Sequence, residues 1–115
     1  MKKQQLGQLA EEWAAQHLQK LGFTIVARNY RYQRAEIDVI AQKQKILVFT
    51  EVKARSNDRF GHPEDFVTLK QQALIHAAAE EYIMAHDWNA AIRFDIIAVS
   101  RHQGQVQLTH FEDAF

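Results

Sequence analysis

A run of helix-forming residues, Leu69–Ala85, stands between two apolar, strand-like runs, Lys45–Lys53 and Ile92–Ser100. This order constrains the fold more than any other feature of the chain. A crossover of that length lets the flanking strands lie parallel in one sheet, which a tight turn cannot do. Leu69–Ala85 is rich in alanine, and Thr68 followed by Gln71 has the spacing of a capping box at its start.

The remaining elements follow from periodicity. Leu6, Leu9, Ala10, Trp13, Ala14, Leu18 and Leu21 recur at helical spacing, and Gly22 is placed to stop that helix. Phe23–Tyr30 and Glu36–Ala41 read as strands, and Arg101–Gly104 turns the strand Ile92–Ser100 into a last one, Gln105–Phe111. The predicted fold is an α/β sandwich of order α-β-β-β-α-β-β with a mixed central sheet. Its 115 residues suit a single domain, 1–115, and 47% hydrophobic residues supply an ordinary globular core.

Composition removes several chemistries. With no cysteine there is no disulfide, thiolate zinc site, iron–sulfur cluster or cysteine nucleophile. The six histidines lack metal-ligand spacing, so zinc is not expected, and the four glycines form no phosphate loop. Apolar runs of four or five residues fall far short of a membrane span, and a soluble cytoplasmic protein is the expectation. The formal net charge is zero, yet residues 1–59 carry 11 basic and 6 acidic side chains while residues 60–115 carry 3 and 8. That split is compatible with a basic binding face or with ordinary solvated charge.

Strand alternation places Glu36 with Asp38, and Glu51 with Lys53. If the hairpin pairs Ala41 with Ile46, Asp38 falls opposite Phe49 and Glu36 opposite Glu51, with all four polar groups on one face. Like charges among Ile, Val, Leu and Phe cost free energy unless a cation lies between them. Two carboxylates and a backbone carbonyl are hard oxygen ligands suited to Mg²⁺ or Mn²⁺. Lys53 on the same face can orient water or stabilise charge on a phosphoryl group. A plain salt bridge from Lys53 to Glu51 or Asp38 is the alternative, because Glu-x-Lys alone is a weak signal.

Asp38 followed by Glu51-Val52-Lys53 at the end of an apolar strand resembles the PD-(D/E)XK nuclease signature. Nearly the whole chain is similar to the YraN-like family of small bacterial proteins, to which endonuclease activity is ascribed. The matching stretches are Gly7-x-x-x-Glu11-x-x-Ala14, Ala27-Arg28-Asn29-Tyr30-Arg31, Glu36–Ile40, Val48–Arg55, Phe60-Gly61-x-Pro63, Val67-Thr68-x-Lys70 and Arg93–Ile97. A looser likeness links it to archaeal Holliday-junction resolvases. The resemblance implies a restriction-endonuclease-like fold, with Asp38 and Glu51 at the metal and Lys53 and Glu11 in the catalytic centre. Two positions depart from the family pattern: Ala35 stands where glycine is usual, and Thr50 where valine is usual.

Other candidates are Glu36 as an additional metal ligand and Lys70, a cation in a helix's first turn, as a contact to phosphate or to the carboxylates. Arg28, Arg31, Arg34, Arg55 and Arg59, interleaved with Tyr30, Tyr32 and Phe60, could track a nucleic-acid backbone. The basic loop 54–62 is expected to be mobile and to lie beside the cluster, and Asp95 to be structural. The leading expectation is a Mg²⁺- or Mn²⁺-dependent endonuclease acting on nucleic acid, in the first instance DNA, with branched DNA as a candidate substrate. A homodimer would suit symmetric cutting of two strands. The alternatives are a non-catalytic nucleic-acid-binding module on the same fold, and an assembly protein with a salt-bridged sheet.

Overall fold

The computed structural model describes residues 3–55 and 67–115. The elements are α1 (Lys3–Lys20), β1 (Thr24–Tyr32), β2 (Ala35–Lys43), β3 (Ile46–Arg55), α2 (Leu69–Ala85), β4 (Ala91–His102) and β5 (Gln105–Phe111). The five strands lie in sequence order in one sheet. Neighbours are antiparallel except β3 and β4, which run parallel across the α2 crossover. The fold is thus α/β with a mixed five-stranded sheet and two helices.

Local chemistry sets the boundaries. Gly22, at φ +98°, closes α1: its N–H donates to Gln19 O, and Phe23 N–H donates to Leu18 O. These are the two bonds of a Schellman motif, and glycine takes the left-handed backbone without a Cβ penalty. The capping box at α2 forms as expected, with Thr68 Oγ1 accepting from Gln71 N and Gln71 Oε1 accepting from Thr68 N. Gln103 and Gly104, both at positive φ, make the tight turn into β5.

Each sheet face carries one helix. Ile40, Leu47, Phe49, Ile96 and Ala98 pack against Ile75, Ala78, Ala79 and Tyr82 of α2. Val39, Ala41, Val48, Ile97 and Val99 pack against Ala10, Ala14 and Leu18 of α1. Leu9 and Leu21 of the helical stripe stay outside the core, at 37% and 40% exposure, and Ala15 is buried instead. Ala35 is buried without a positive φ and packs on the α2 side, so its Cβ is accommodated. Thr50 is fully buried on β3, and its Oγ1 finds no hydrogen-bond partner among the described residues.

The β2–β3 hairpin corrects the expected register. The ladder continues through Gln42 and Lys43, closing on the two-residue turn Gln44–Lys45 with Gln44 at φ +52°. Ladder hydrogen bonds need no apolar side chains, so the polar residues extend the strands rather than forming a four-residue loop. Lys43 therefore pairs with Ile46, and Ala41 pairs with Val48 instead of Ile46. A two-residue shift preserves the faces but moves Asp38 from opposite Phe49 to the level of Glu51.

Candidate active site

The β2–β3 ladder ends at Val39↔Thr50. Just beyond it the Asp38 carboxylate occupies the gap between the strands, and Oδ2 accepts a hydrogen bond from Val52 N at 2.8 Å. A side chain thus replaces the next ladder partner. Alternation breaks at the same place, because Ala35, Ile37 and Ile40 pack on the α2 side while Val39 and Ala41 pack on the α1 side. The β1–β2 pairing steps over Asn29 and Asp38, and Asn29 has φ +51°, a conformation Asn tolerates better than most residues.

Asp38 is 8% exposed, and the half-buried Glu51 carboxyl lies close enough to feel its charge. Burial pushes the Asp38 pKa up to about 6, although the Val52 N–H works against this. Burial, and then the Asp38 charge, pushes Glu51 up to about 8. Lys53 Nζ stands 3.9 Å from Glu51 Oε1 and offsets only part of this. The geometry places two carboxyls and one ammonium together on partly buried backbone at the end of the sheet. The expected salt bridge and the expected carboxylate pair are both present.

A cavity of about 290 Å³ opens on the pair, lined by Arg34, Ala35, Glu36, Asp38 and Glu51 from the sheet side and by Gln71, Leu74 and Ile75 of α2. Glu36 is at its rim rather than aligned with Asp38, since the break in alternation turns Ala35 and Ile37 to the α2 face. One Glu36 oxygen accepts from Asn29 Nδ2, and the other pairs with Arg31 at 3.2 Å. Glu11 of α1 accepts from the same Asn29 nitrogen. Glu11 and Glu36 both raise Asp38 through their charge.

The other expected residues disperse. Lys70 is exposed in the first turn of α2, and Gln71 lines the cavity in its place. Arg28 pairs with Glu12 at 3.0 Å, and Arg31 with Glu36, so both are engaged by acids. Arg55 is exposed at the end of β3. Arg59, with most of the 54–62 loop, lies outside the described residues. Sequence reasoning missed Asn29 and Gln71. An Asn inside a strand-like run, where it is a poor strand former, was the only available signal for the first.

For a metal, the donors are Asp38 and Glu51, both hard oxygen ligands. Among the described residues no three histidine or acidic side chains are gathered into a ready ligand cluster. Mg²⁺ is commonly held by one or two carboxylates while waters and substrate phosphate complete its shell. A dedicated cage would require more ligands from the protein.

A second cluster lies on the opposite face. Asp95, fully buried, accepts from Arg93 at 2.8 and 2.9 Å, from His110 at 2.7 Å and from Asp113 N at 3.0 Å. His110 Nδ1 in turn meets His17 Nε2 at 3.1 Å. Burial works to raise the Asp95 pKa, but the hydrogen bonds from His110 and Arg93 hold it below the ordinary value. This network ties α1 to β4 and β5, as expected of a structural carboxylate.

Comparison with known proteins adds a family to this geometry. The family described as "Uncharacterised protein family UPF0102" matches residues 10–99. The chain belongs to UPF0102. A UPF0102 protein of Flavobacterium psychrophilum is 46% identical over 96% of this chain and 92% of its own length. Those of Christiangramia forsetii and Flavobacterium johnsoniae are 39% and 42% identical, each over 96% of this chain and over 93% and 94% of their own lengths. The UPF0102 match spans Glu11, Glu36, Asp38, Glu51 and Lys53. Among the described residues no helix is long and apolar enough to cross a membrane.

Proposed function

We propose that this UPF0102 protein is a divalent-metal-dependent endonuclease on a restriction-endonuclease-like fold, hydrolysing phosphodiester bonds of nucleic acid, DNA in the first instance. The observation that carries the reading is the Asp38–Glu51 pair. A buried and a half-buried carboxyl stand together at the open end of β2 and β3, beside Lys53 and lining a cavity of about 290 Å³. A purely structural sheet gains nothing from such a pair, since removing both groups from water costs more than a hydrophobic pair would.

When bound, Mg²⁺ or Mn²⁺ supplies Lewis-acid polarisation of the phosphoryl group and lowers the pKa of attacking water. Asp38 and Glu51 would hold the cation, and the Val52 N–H fixes the Asp38 carboxylate so that little reorganisation would be needed. Lys53 places its ammonium where negative charge develops on the phosphate and orients the water. Arg34 at the cavity rim offers a phosphate contact.

A cleavage screen over branched, flapped, single-stranded and duplex substrates tests this, run with Mg²⁺, Mn²⁺ or chelator. Metal-dependent cutting of at least one substrate is expected. No cutting, together with binding that weakens as salt rises, would replace the enzyme with a nucleic-acid-binding module. Neither cutting nor binding would leave only the assembly-protein reading.

A further inference from the structure

The Asn29 side chain touches an acid of α1 and an acid of β2. It lies on β1 beside the point where the pairing steps past Asp38, and its backbone is left-handed at φ +51°. Its Nδ2 donates to Glu11 Oε1 of α1 and to Glu36 Oε1 of β2, each at 3.1 Å. Two acceptor carboxylates fix the orientation of the amide, because the reversed amide would set its oxygen against both. The second oxygen of Glu36 is held by Arg31, so the amide and the guanidinium together lock this carboxylate at the cavity rim.

The Asn29 amide joins the two acids. Glu11 belongs to a helix packed on one sheet face, and Glu36 to a strand lining a cavity that opens towards the other helix. Both carry negative charge towards Asp38. Repulsion would drive Glu11 out to solvent, where an unpaired helical glutamate is well hydrated. A double donor between the acids opposes that motion. Partners of this kind behind metal-binding carboxylates alter affinity without themselves being ligands.

We propose that Asn29 is a positioning residue of the active site, its left-handed backbone aiming one amide nitrogen at Glu11 and Glu36 so that both acids stay fixed near the Asp38–Glu51 pair, where their charge would strengthen its hold on a cation. The assignment rests on the metal-dependent reading of this site. It predicts that the backbone and the amide have separable roles. Asn29→Gly keeps the left-handed conformation without strain and deletes only the amide.

The test is Mn²⁺ binding, read from the signal of free Mn²⁺ by electron paramagnetic resonance, on wild type, Asn29→Gly, Glu11→Gln and the double variant. Thermal unfolding verifies the fold of each. Asn29→Gly should raise the Mn²⁺ midpoint by ~10-fold or more, the range seen when outer partners of a metal site are removed. In the Glu11→Gln background the same change should raise it by less than ~3-fold, because residues acting through one another are not additive. Any cleavage lost in Asn29→Gly should return at saturating Mn²⁺, which a merely structural defect would not allow. A folded Asn29→Gly with an unchanged midpoint, or full additivity with Glu11→Gln, overturns the assignment. If Asn29→Gly does not fold, an unchanged midpoint in Glu11→Gln overturns it equally. Wild type that binds Mn²⁺ but never cleaves, with the Asn29→Gly shift present, supports the positioning role and ends the nuclease reading. Wild type that binds no Mn²⁺ ends both.

Discussion

Glu51→Gln should make the metal-free protein more stable at alkaline pH, relative to wild type, than at acid pH. In the folded chain Glu51 is held from 4.5 up to about 8, by burial and by the Asp38 charge. An acid whose folded pKa lies above its unfolded one binds more protons in the native state between those values. Its contribution is therefore full below about 4.5 and is lost as pH rises towards about 8. Each pKa unit is worth about 1.36 kcal/mol, which gives a ceiling of about 4 kcal/mol between pH 5 and 8. Titration of Asp38 in the same pH range and the remaining solvent contact reduce this to roughly 2–3 kcal/mol. Glutamine keeps the shape and a hydrogen-bond donor for Asp38 while removing the titration. Urea unfolding of both proteins at pH 5, 6, 7 and 8 in chelator measures the change. His17, whose pKa is lowered chiefly by burial, adds a pH dependence of opposite sign to both proteins and cancels in the difference. Parallel stability profiles, or a wild type that gains on the variant as pH rises, would refute the reasoning.

Lys53→Ala should leave Mn²⁺ binding largely intact while the single-turnover cleavage rate falls by ~10²–10³-fold, as for loss of one preorganised electrostatic group. Asp38→Asn should instead raise the Mn²⁺ midpoint itself in the binding assay, because an amide is a poorer ligand for a hard dication. Thr50→Val should stabilise the protein by about 1 kcal/mol in urea unfolding, since it removes a buried hydroxyl with no partner at nearly constant shape; destabilisation would mean the hydroxyl is satisfied after all. Asp95→Ala should cost about 3 kcal/mol in the same assay by leaving Arg93 and His110 without their buried acceptor; a loss below about 0.5 kcal/mol would remove the network's structural role.

Long, regular elements were legible in the sequence because their signals are local. Thr68 and Gln71 cap α2 through each other, and Gly22 ends α1 through its own backbone. The closeness of Asp38, Glu51 and Lys53 was legible because strand parity survives a two-residue register error, whereas the roles proposed for them came from the family resemblance. What parity cannot anticipate is its own failure: Glu36 leaves the shared face because the chain steps past Asn29 and Asp38, a consequence of how three strands diverge together. The His17–His110 contact was equally hidden. No spacing along one helix or strand brings together residues 93 positions apart, and only the packing of α1 on the sheet beside β5 does so. Lys70 is exposed in the first turn of α2 and does not line the cavity, where Gln71 stands.

Cleavage by matched preparations of wild type and Asp38→Asn tests the central claim most directly. Both would be purified in parallel and assayed on the same labelled DNA panel with Mn²⁺ and with chelator. The account predicts cutting by wild type with Mn²⁺ only, and a loss of at least ~10²-fold in Asp38→Asn at the same Mn²⁺ concentration. Equal cutting by the two proteins, or cutting that persists in chelator, would contradict it.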